Sequence, residues 1–235
     1  VDICVIPRDL LDQAKRMAVD ATGIPVDRIL ISATHTHSGP TLDAILGSDG
    51  NSKYRQWLPG RIAQTIQAAV ANLGPARIGW TVVQDVKHTH CRQWIRRPDR
   101  IDTDPFGYQS IRSMMHPGYQ NPDYLGPAGP AEPSLSIVSV QTPEQKPIAL
   151  LANYSMHYVG AKPLSADYFG AFADKIAELT GTDTSHPPFV AIMSNGTSGD
   201  QHWMDYSQPK PTQPQSHIQY AETIAREVYE ACKKI

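Results

Sequence analysis

The sequence has few of the features that mark disulfide-bonded, membrane-spanning or nucleic-acid-binding proteins. Its cysteines, Cys4, Cys91 and Cys232, are scattered over 235 residues and form neither a CxxC pair nor a disulfide framework. No apolar run is long enough to span a bilayer, and no stretch reads as a signal peptide. The formal net charge is only −2, so we expect neither nucleic acid nor an anionic membrane as a partner on the ground of charge.

Common nucleotide and serine-hydrolase motifs are also missing. The Gly-rich run NGTSGD over 195–200 is not a Walker A loop, not a dinucleotide fingerprint, and not a Gly-x-Ser-x-Gly elbow. Because it follows an apolar run, its backbone N–H groups could hold an anion or an oxyanion. A plain turn explains the same residues equally well.

The residue pattern predicts one α/β domain, a mixed β-sheet flanked by helices with a long Pro/Gly-rich loop. Helical periodicity and stop signals predict helices over 8–22, 54–73, 167–179 and 216–234. Buried or alternating runs predict strands over 1–6, 29–33, 77–86, 134–141, 147–154 and 189–193, the fourth and fifth forming a hairpin. Residues 87–132 contain many prolines and glycines, but their aromatic content predicts a long folded loop rather than disorder.

The apolar run that begins at Ile29 ends in two histidines, His35 and His37, within the stretch THTHSGP. Residues two apart in a strand point to the same face, so we expect the two imidazoles to project together. Neutral imidazole is a common zinc ligand and also suits proton transfer. The alternative is a strand end whose polar residues happen to be histidine.

Further candidate residues follow other predicted strands. His157 also comes at the end of a strand, and two strands that each end in His favour a shared metal site. Ser165 or Asp167 is expected to cap the following helix. His88, His90 and Cys91 are ligand types without a companion cluster, and the arginines that follow them could bind a carboxylate or phosphate or form surface salt bridges.

As an ordered set, these motifs resemble the N-terminal domain of the neutral/alkaline non-lysosomal ceramidase family. The resemblance rests on four motifs that occur in the family's order: SATHTHSGP over 32–40, HCR over 90–92, MH over 156–157 with SAD over 165–167, and NGTSGD over 195–200. It implies that residues 1–235 form a single ceramidase-like catalytic domain. We expect the sequence to enter this domain partway through its first strands and to lack C-terminal parts.

The resemblance implies a zinc amidase of sphingolipid and lipid metabolism that cleaves the N-acyl amide bond of ceramide or a related lipid amide. It implies that His35 and His157 are zinc ligands, that His37 moves the proton, and that Arg92 holds the substrate or the transition-state charge. The substrate and oxyanion loop would contain Asn195, Gly196, Gly199 and Asp200.

Two zinc ligands are too few, since catalytic zinc usually has about three protein ligands plus water. The third is expected from Asp167, from His202 or, as we favour, from residues outside this sequence. The family resemblance also implies a secreted or periplasmic protein with possible contact to a membrane surface.

The sequence departs from the family at the turn GDQHW over 199–203, where the family has Gly-Asp-x-Ser-Pro. His202 stands in the position of that serine and is therefore counted among the catalytic candidates. Two alternatives stay open. The same scaffold could hydrolyse a different amide or ester, or the chain could be a non-catalytic relic with an incomplete metal site.

Overall fold

The computed structural model describes residues 1–45, 47–182 and 187–235, which form a mixed α/β fold. The helices in these ranges are α1 (Arg8–Thr22), α2 (Ser52–Ala71), α3 (Asp167–Thr180) and α4 (His217–Cys232). The strands are β1 (Arg77–Gln84), β2 (His90–Cys91), β3 (Gln93–Arg96), β4 (Asp102–Thr103), β5 (Gln109–Ile111), β6 (Ser113–Met115), β7 (Tyr124–Pro127), β8 (Ser134–Gln141), β9 (Pro147–Tyr154), β10 (Val190–Asn195) and β11 (Gln201–His202). None of the described helices is long and apolar enough to cross a bilayer.

The main sheet has the strand order β1-β8-β9-β10. The predicted hairpin is confirmed, because β8 and β9 pair antiparallel with Ser136 opposite Asn153. Strand β1 is also antiparallel to β8, whereas β10 is parallel to β9. Strands β1, β9 and β10 therefore run in one direction, and their C-terminal ends meet at one edge of the sheet.

Helices α3 and α4 cover one face of this sheet and close its core. Strand β8 alternates between buried and less buried residues, as expected for a strand with one packed face. Helix α3 is capped by Gly181, which has a φ of 69°, and α1 is capped in the same way by Gly23, with a φ of 73°. Glycine adopts this left-handed conformation readily because it has no Cβ. The core side chains from the sheet and from both helices are Leu135, Ile137, Leu150, Ala152, Tyr154, Met193, Phe172, Ile176, Tyr220, Ile224 and Val228.

Helices α1 and α2 form smaller apolar clusters with residues from the start of the chain and from 29–42. The predicted strands over 1–6 and 29–33 are wrong as regular strands. Only a short pairing forms, in which Thr34 N–H donates to the Val1 carbonyl and His35 N–H donates to the Ile3 carbonyl. It stays short because Ile3 N–H turns back to Val1 and because His35 leaves the extended region, with a φ of 65°.

The segment 87–132, predicted as a long loop, contains the six short strands β2 to β7. Strand β3 pairs with β6 and β7, and β4 pairs with β5. Prolines and glycines keep these strands to between two and four residues. Strand β2 pairs with β11, which sets His90 opposite His202.

Candidate active site

The segment that contains His35 and His37 is docked on the sheet edge by hydrogen bonds from small polar side chains. Thr36 Oγ1 donates to the Ser165 carbonyl at 3.0 Å, and Ser38 Oγ donates to the Ala161 carbonyl at 2.6 Å. From the sheet, Asn195 Nδ2 donates to the Thr34 carbonyl at 2.8 Å. Thr36 and Ser38 are buried, so these bonds fix the histidines against the ends of β9 and β10.

Three imidazoles converge at this edge, as the two strand-end histidine motifs predicted. The ring centroid of His35 lies 4.7 Å from that of His157, and the His37 centroid lies 5.3 Å from it. His35 and His37 face each other through their Nε2 atoms at 3.2 Å. They meet because His35 takes a left-handed backbone conformation before a turn, and strand alternation, the predicted cause, is not the reason.

The backbone fixes the orientation of two of these rings. His35 Nδ1 lies 2.7 Å from the Cys4 carbonyl, and His157 Nδ1 lies 2.9 Å from the Ser198 carbonyl. Because a carbonyl can only accept, each Nδ1 must carry the proton, which leaves each Nε2 unprotonated in the neutral ring. In the absence of a metal, His35 Nε2 then accepts a hydrogen bond from His37 Nε2. Zinc-binding histidines typically use the second ring nitrogen in this way. His35 and His157 thus fit zinc by donor type and tautomer.

The surroundings of His37 and His157 favour the neutral form of both imidazoles. Burial lowers the pKa of His157 to about 4, and the charges of Arg92 and of the neighbouring histidines act in the same direction. Burial also lowers the pKa of His37, followed by the effects of His35 and Arg92. Neutral imidazole is the form that ligates metal or accepts a proton.

Two neighbours of the cluster were not predicted. Cys4 Sγ lies 3.5 Å from His35 Nδ1, and the ligand atoms of Cys4, His35 and His37 all lie within 4.8 Å of one another. Tyr158 stacks on the His37 ring, with centroids 3.9 Å apart and planes 17° apart. For Tyr158 the adjacency to His157 was a usable signal, whereas nothing local in the sequence links Cys4 to residues 31 positions away.

Asp167, one of the candidates for a third zinc ligand, is fully engaged by backbone groups. Its carboxylate accepts hydrogen bonds from the N–H groups of Val159, Gly160, Ala161 and Tyr168, at 2.7 to 2.9 Å. The predicted cap is only partly right: Ser165 Oγ accepts from Asp167 N–H, but the N-cap position is Ala166. Asp167 therefore organises the loop after His157, and each of its oxygens already accepts two backbone hydrogen bonds.

The loop over 195–200 uses several of its own polar groups internally. Gly196 N–H donates to the Tyr154 carbonyl, and Thr197 N–H donates to Ser155 Oγ. Asp200 is tied to the main chain of Arg92, whose N–H donates to the Asp200 carbonyl at 2.8 Å. Ser198 N–H also donates to the Gly196 carbonyl, so three backbone N–H groups of this loop are not available to an oxyanion. The Nδ2 group of Asn195 is occupied by the Thr34 carbonyl.

Arg92 lies on the other side of this loop. Its Nε and one terminal nitrogen donate to the Gly199 carbonyl at 3.1 and 2.6 Å. A guanidinium carries several further N–H groups, so this anchoring leaves donors for an anionic group. The positive charge of Arg92 lowers the pKa of four histidines, which are His37, His116, His157 and His202.

His202 belongs to a neighbouring aromatic group and not to the His35 cluster itself. Its ring lies 5.0 Å from that of His116 and 6.1 Å from that of Tyr158. His116 Nδ1 is hydrogen-bonded to the Tyr206 hydroxyl. Burial lowers the pKa of His202 to about 3, and its buried Nδ1 has no hydrogen-bond partner among the described residues.

Comparison with solved structures assigns the fold. Neutral ceramidase from Pseudomonas aeruginosa matches all of this chain with a TM-score of 0.66 at 16% sequence identity, over 35% of its own length. The fold is that of neutral ceramidase. A ceramidase complexed with C2 matches with a TM-score of 0.68 at 17% identity, over 34% of its length.

The present chain thus spans about a third of the ceramidase chains that it matches. No protein-family model matches the sequence, and no curated protein does. At this level of identity the likeness to ceramidase concerns the fold, and the chemistry of the site depends on its own residues.

Proposed function

We propose that this protein is a zinc-dependent hydrolase that cleaves the N-acyl amide bond of ceramide or a related lipid amide. The observation that carries the proposal is the convergence of His35, His37 and His157 at the sheet edge of a ceramidase fold. The Nδ1 atoms of His35 and His157 are held by backbone carbonyls. The fold supports the substrate class, and the tautomers support the metal.

The roles of the individual residues follow from their surroundings. His35 and His157 would hold the zinc through Nε2. Zinc supplies Lewis-acid chemistry when bound, since it polarises a carbonyl and lowers the pKa of water. The lowered pKa of His37 favours its neutral form, which can take a proton and later deliver it to the leaving amine. Stacking on Tyr158 holds the His37 ring in one orientation.

Arg92 would stabilise the negative charge that develops on the acyl oxygen. Its contact with the Gly199 carbonyl holds the guanidinium in place, and a pre-positioned donor costs little reorganisation during the reaction. The third zinc ligand is not Asp167, whose carboxylate is saturated by backbone N–H groups. We propose that it comes from residues outside the present 235.

Zinc content and substrate turnover, measured together, test the proposal. We expect His35→Ala and His157→Ala each to lose one equivalent of zinc and the ability to release fatty acid from N-acylsphingosine. His217→Ala, a histidine at the start of α4, is the matched control and should keep both. If wild type at micromolar zinc holds no metal at the His35 cluster and cleaves no amide, the relic alternative is favoured.

One observation supports a different acyl substrate on the same scaffold. The bulky, buried His202 occupies the turn where the ceramidase motif has a small hydroxyl residue, and its Nδ1 lacks a partner within the described part of the chain. A substrate panel separates the two functions. Turnover of a simple N-acyl amide or an acyl ester without turnover of N-acylsphingosine would favour this second function.

A further inference from the structure

A second group of ligand-type side chains lies at the same sheet edge, beyond the end of β1. Asp85 follows this strand and is buried, with 3% of its surface exposed. His88 comes in the next turn, and Glu227 reaches the group from α4. One ligand atom from each lies within 4.8 Å of the others. The proposed amide hydrolysis uses none of these residues.

The distances within this group suit a small cation. His88 Nδ1 lies 2.8 and 2.9 Å from the two oxygens of Asp85, and 3.8 Å from Glu227 Oε1. Zinc–ligand bonds of about 2.0–2.2 Å in a tetrahedron separate neighbouring ligand atoms by about 3.3 Å. The distances from His88 Nδ1 to Asp85 and to Glu227 lie on either side of that value, each within about half an ångström of it.

Asp85 also accepts hydrogen bonds from residues outside this group. The Tyr154 hydroxyl donates to Asp85 Oδ2 at 2.9 Å, and Lys87 N–H donates to Asp85 Oδ1 at 3.1 Å. The Tyr220 hydroxyl donates to the His88 carbonyl at 2.8 Å and fixes the turn. Metal ligands in proteins are typically oriented by such an outer shell of hydrogen bonds.

Glu227 is the unusual carboxylate of α4. Glu222 pairs with Arg226 and Lys175, and Glu230 pairs with Lys233, whereas Glu227 turns toward Asp85 and His88. Burial and the charge of Asp85 raise the pKa of Glu227, and His88 and Lys87 oppose this only in part. Because the two negative charges repel each other, a cation bound between them would stabilise the ionised form of both carboxylates.

We propose that Asp85, His88 and Glu227 form a second metal site, which binds a divalent transition-metal ion of the zinc class. Two carboxylates and one imidazole give three protein ligands and leave one position for water. The imidazole favours zinc over magnesium and calcium, which prefer oxygen ligands. Binding displaces the proton of His88 Nδ1, which goes to solvent.

The ion would join α4 to the chain segment that leads to Arg92. That segment is already fixed at Thr89, whose hydroxyl donates to the Ser155 carbonyl at 2.8 Å. With a metal at Asp85 and His88, both ends of the segment over 85–92 would be anchored, one by the ion and one by the contact of Arg92 with Gly199. The site is thus a structural support next to the candidate active site.

Zinc titration in the double variant His35→Ala/His157→Ala tests this site apart from the first one. We expect about one equivalent of zinc to remain bound in this background. Adding Glu227→Gln should weaken that binding more than about a hundredfold, which exceeds the 10–100-fold loss typical of outer-shell changes such as Tyr154→Phe. Glu230→Gln, on the same helix, is the matched control and should leave the affinity unchanged.

Several results would overturn the proposal. The double variant, folded by circular dichroism, could bind no zinc, which would leave Asp85 and His88 as an ion pair only. Glu227→Gln and Glu230→Gln could bind zinc equally well, or X-ray absorption could detect sulfur on the zinc, which would assign it to Cys4. If the double variant does not fold, the comparison moves to wild type, where Glu227→Gln alone should lower the stoichiometry by one. Loss of amidase activity bears only on the first site.

Discussion

The sheet edge contains two histidine groups that differ in what surrounds the imidazole. In the first, His157 has a backbone carbonyl at Nδ1, and burial lowers its pKa to about 4. In the second, His88 has the buried carboxylate of Asp85 at Nδ1, and this hydrogen bond raises its pKa in spite of burial. His157 is also more buried than His88, so burial favours the neutral ring at His157, whereas the carboxylate partner favours the cationic ring at His88.

This difference separates the chemistry that each group can perform. A neutral ring with a free Nε2 lone pair can ligate zinc or accept a proton without first losing one. A ring paired with a carboxylate is a cation that stabilises the fold, and a metal binds there only by displacing its proton. Substitutions in the two groups should therefore differ in their effects on catalysis, on stability and on metal binding.

The largest difference is expected in catalysis. We expect His37→Ala to lower kcat by about 10²–10⁴-fold, the usual contribution of a general acid–base group, while zinc stays bound. His88→Ala should lower kcat by no more than about tenfold, because it loosens the segment that leads to Arg92 but removes no group that meets the substrate. Steady-state kinetics on the best amide of the substrate panel provides the measurement. Equal losses in both variants would contradict the assigned roles.

The next difference concerns the two buried carboxylates, Asp167 and Asp85. The Asp167 carboxylate accepts hydrogen bonds from backbone N–H groups. In Asp167→Asn the side-chain NH2 group, itself a donor, would face these backbone donors, which the loop holds in place. We expect it to lower the free energy of unfolding by about 3 kcal/mol, as for other broken buried charge networks. Urea denaturation measures this, and Asp174→Asn on the exposed side of α3 is the control, with an expected change within about 0.5 kcal/mol. A near-neutral Asp167→Asn would mean that its carboxylate is available as a ligand.

These residues also indicate how far sequence reasoning reaches. The hairpin of β8 and β9 and the helices could be predicted because their periodicity and stop signals are local. The strands within 87–132 could not, since strands of two to four residues are too short to show a periodicity and form only through pairing, as β2 does with the distant β11. Likewise, the left-handed φ of His35 depends on tertiary contacts and ended a run that looked like a strand.

The candidate site divides in the same way. The convergence of His35 and His157 was predictable, because both follow apolar runs that end at one sheet edge. The second group was missed, because Glu227 lies far from Asp85 in sequence and reaches it only through the packing of α4. A buried Asp at a strand end with His three residues later was the available indication.

A smaller difference is expected in the pH dependence of stability, measured with metal chelated. Because Asp85 raises the pKa of His88, the stabilisation is complete below the ordinary pKa of about 6.5 and is lost as pH rises through the raised value. His88→Gln should therefore cost about 1 kcal/mol more at pH 6 than at pH 9. Asp85, with its lowered pKa, stays ionised over this range. Denaturation at both pH values is the measurement, and a cost that grows toward pH 9 would reverse the sign and refute the ion pair.

The smallest effect is expected at Cys4, and it decides whether the first site includes sulfur. The group that holds His35 is the backbone carbonyl of Cys4, at 2.7 Å, whereas the thiol lies 3.5 Å from the same nitrogen. Burial raises the pKa of this thiol, so it stays protonated, and only a thiolate is a good zinc ligand. Cys4→Ala keeps the carbonyl and should change zinc affinity by about two- to threefold at most. A loss of tenfold or more, with a parallel loss of preference for cadmium over zinc, would instead make Cys4 the missing third ligand. In that case the two sites would differ in ligand chemistry as well as in charge, with sulfur and imidazole at the first and carboxylate and imidazole at the second.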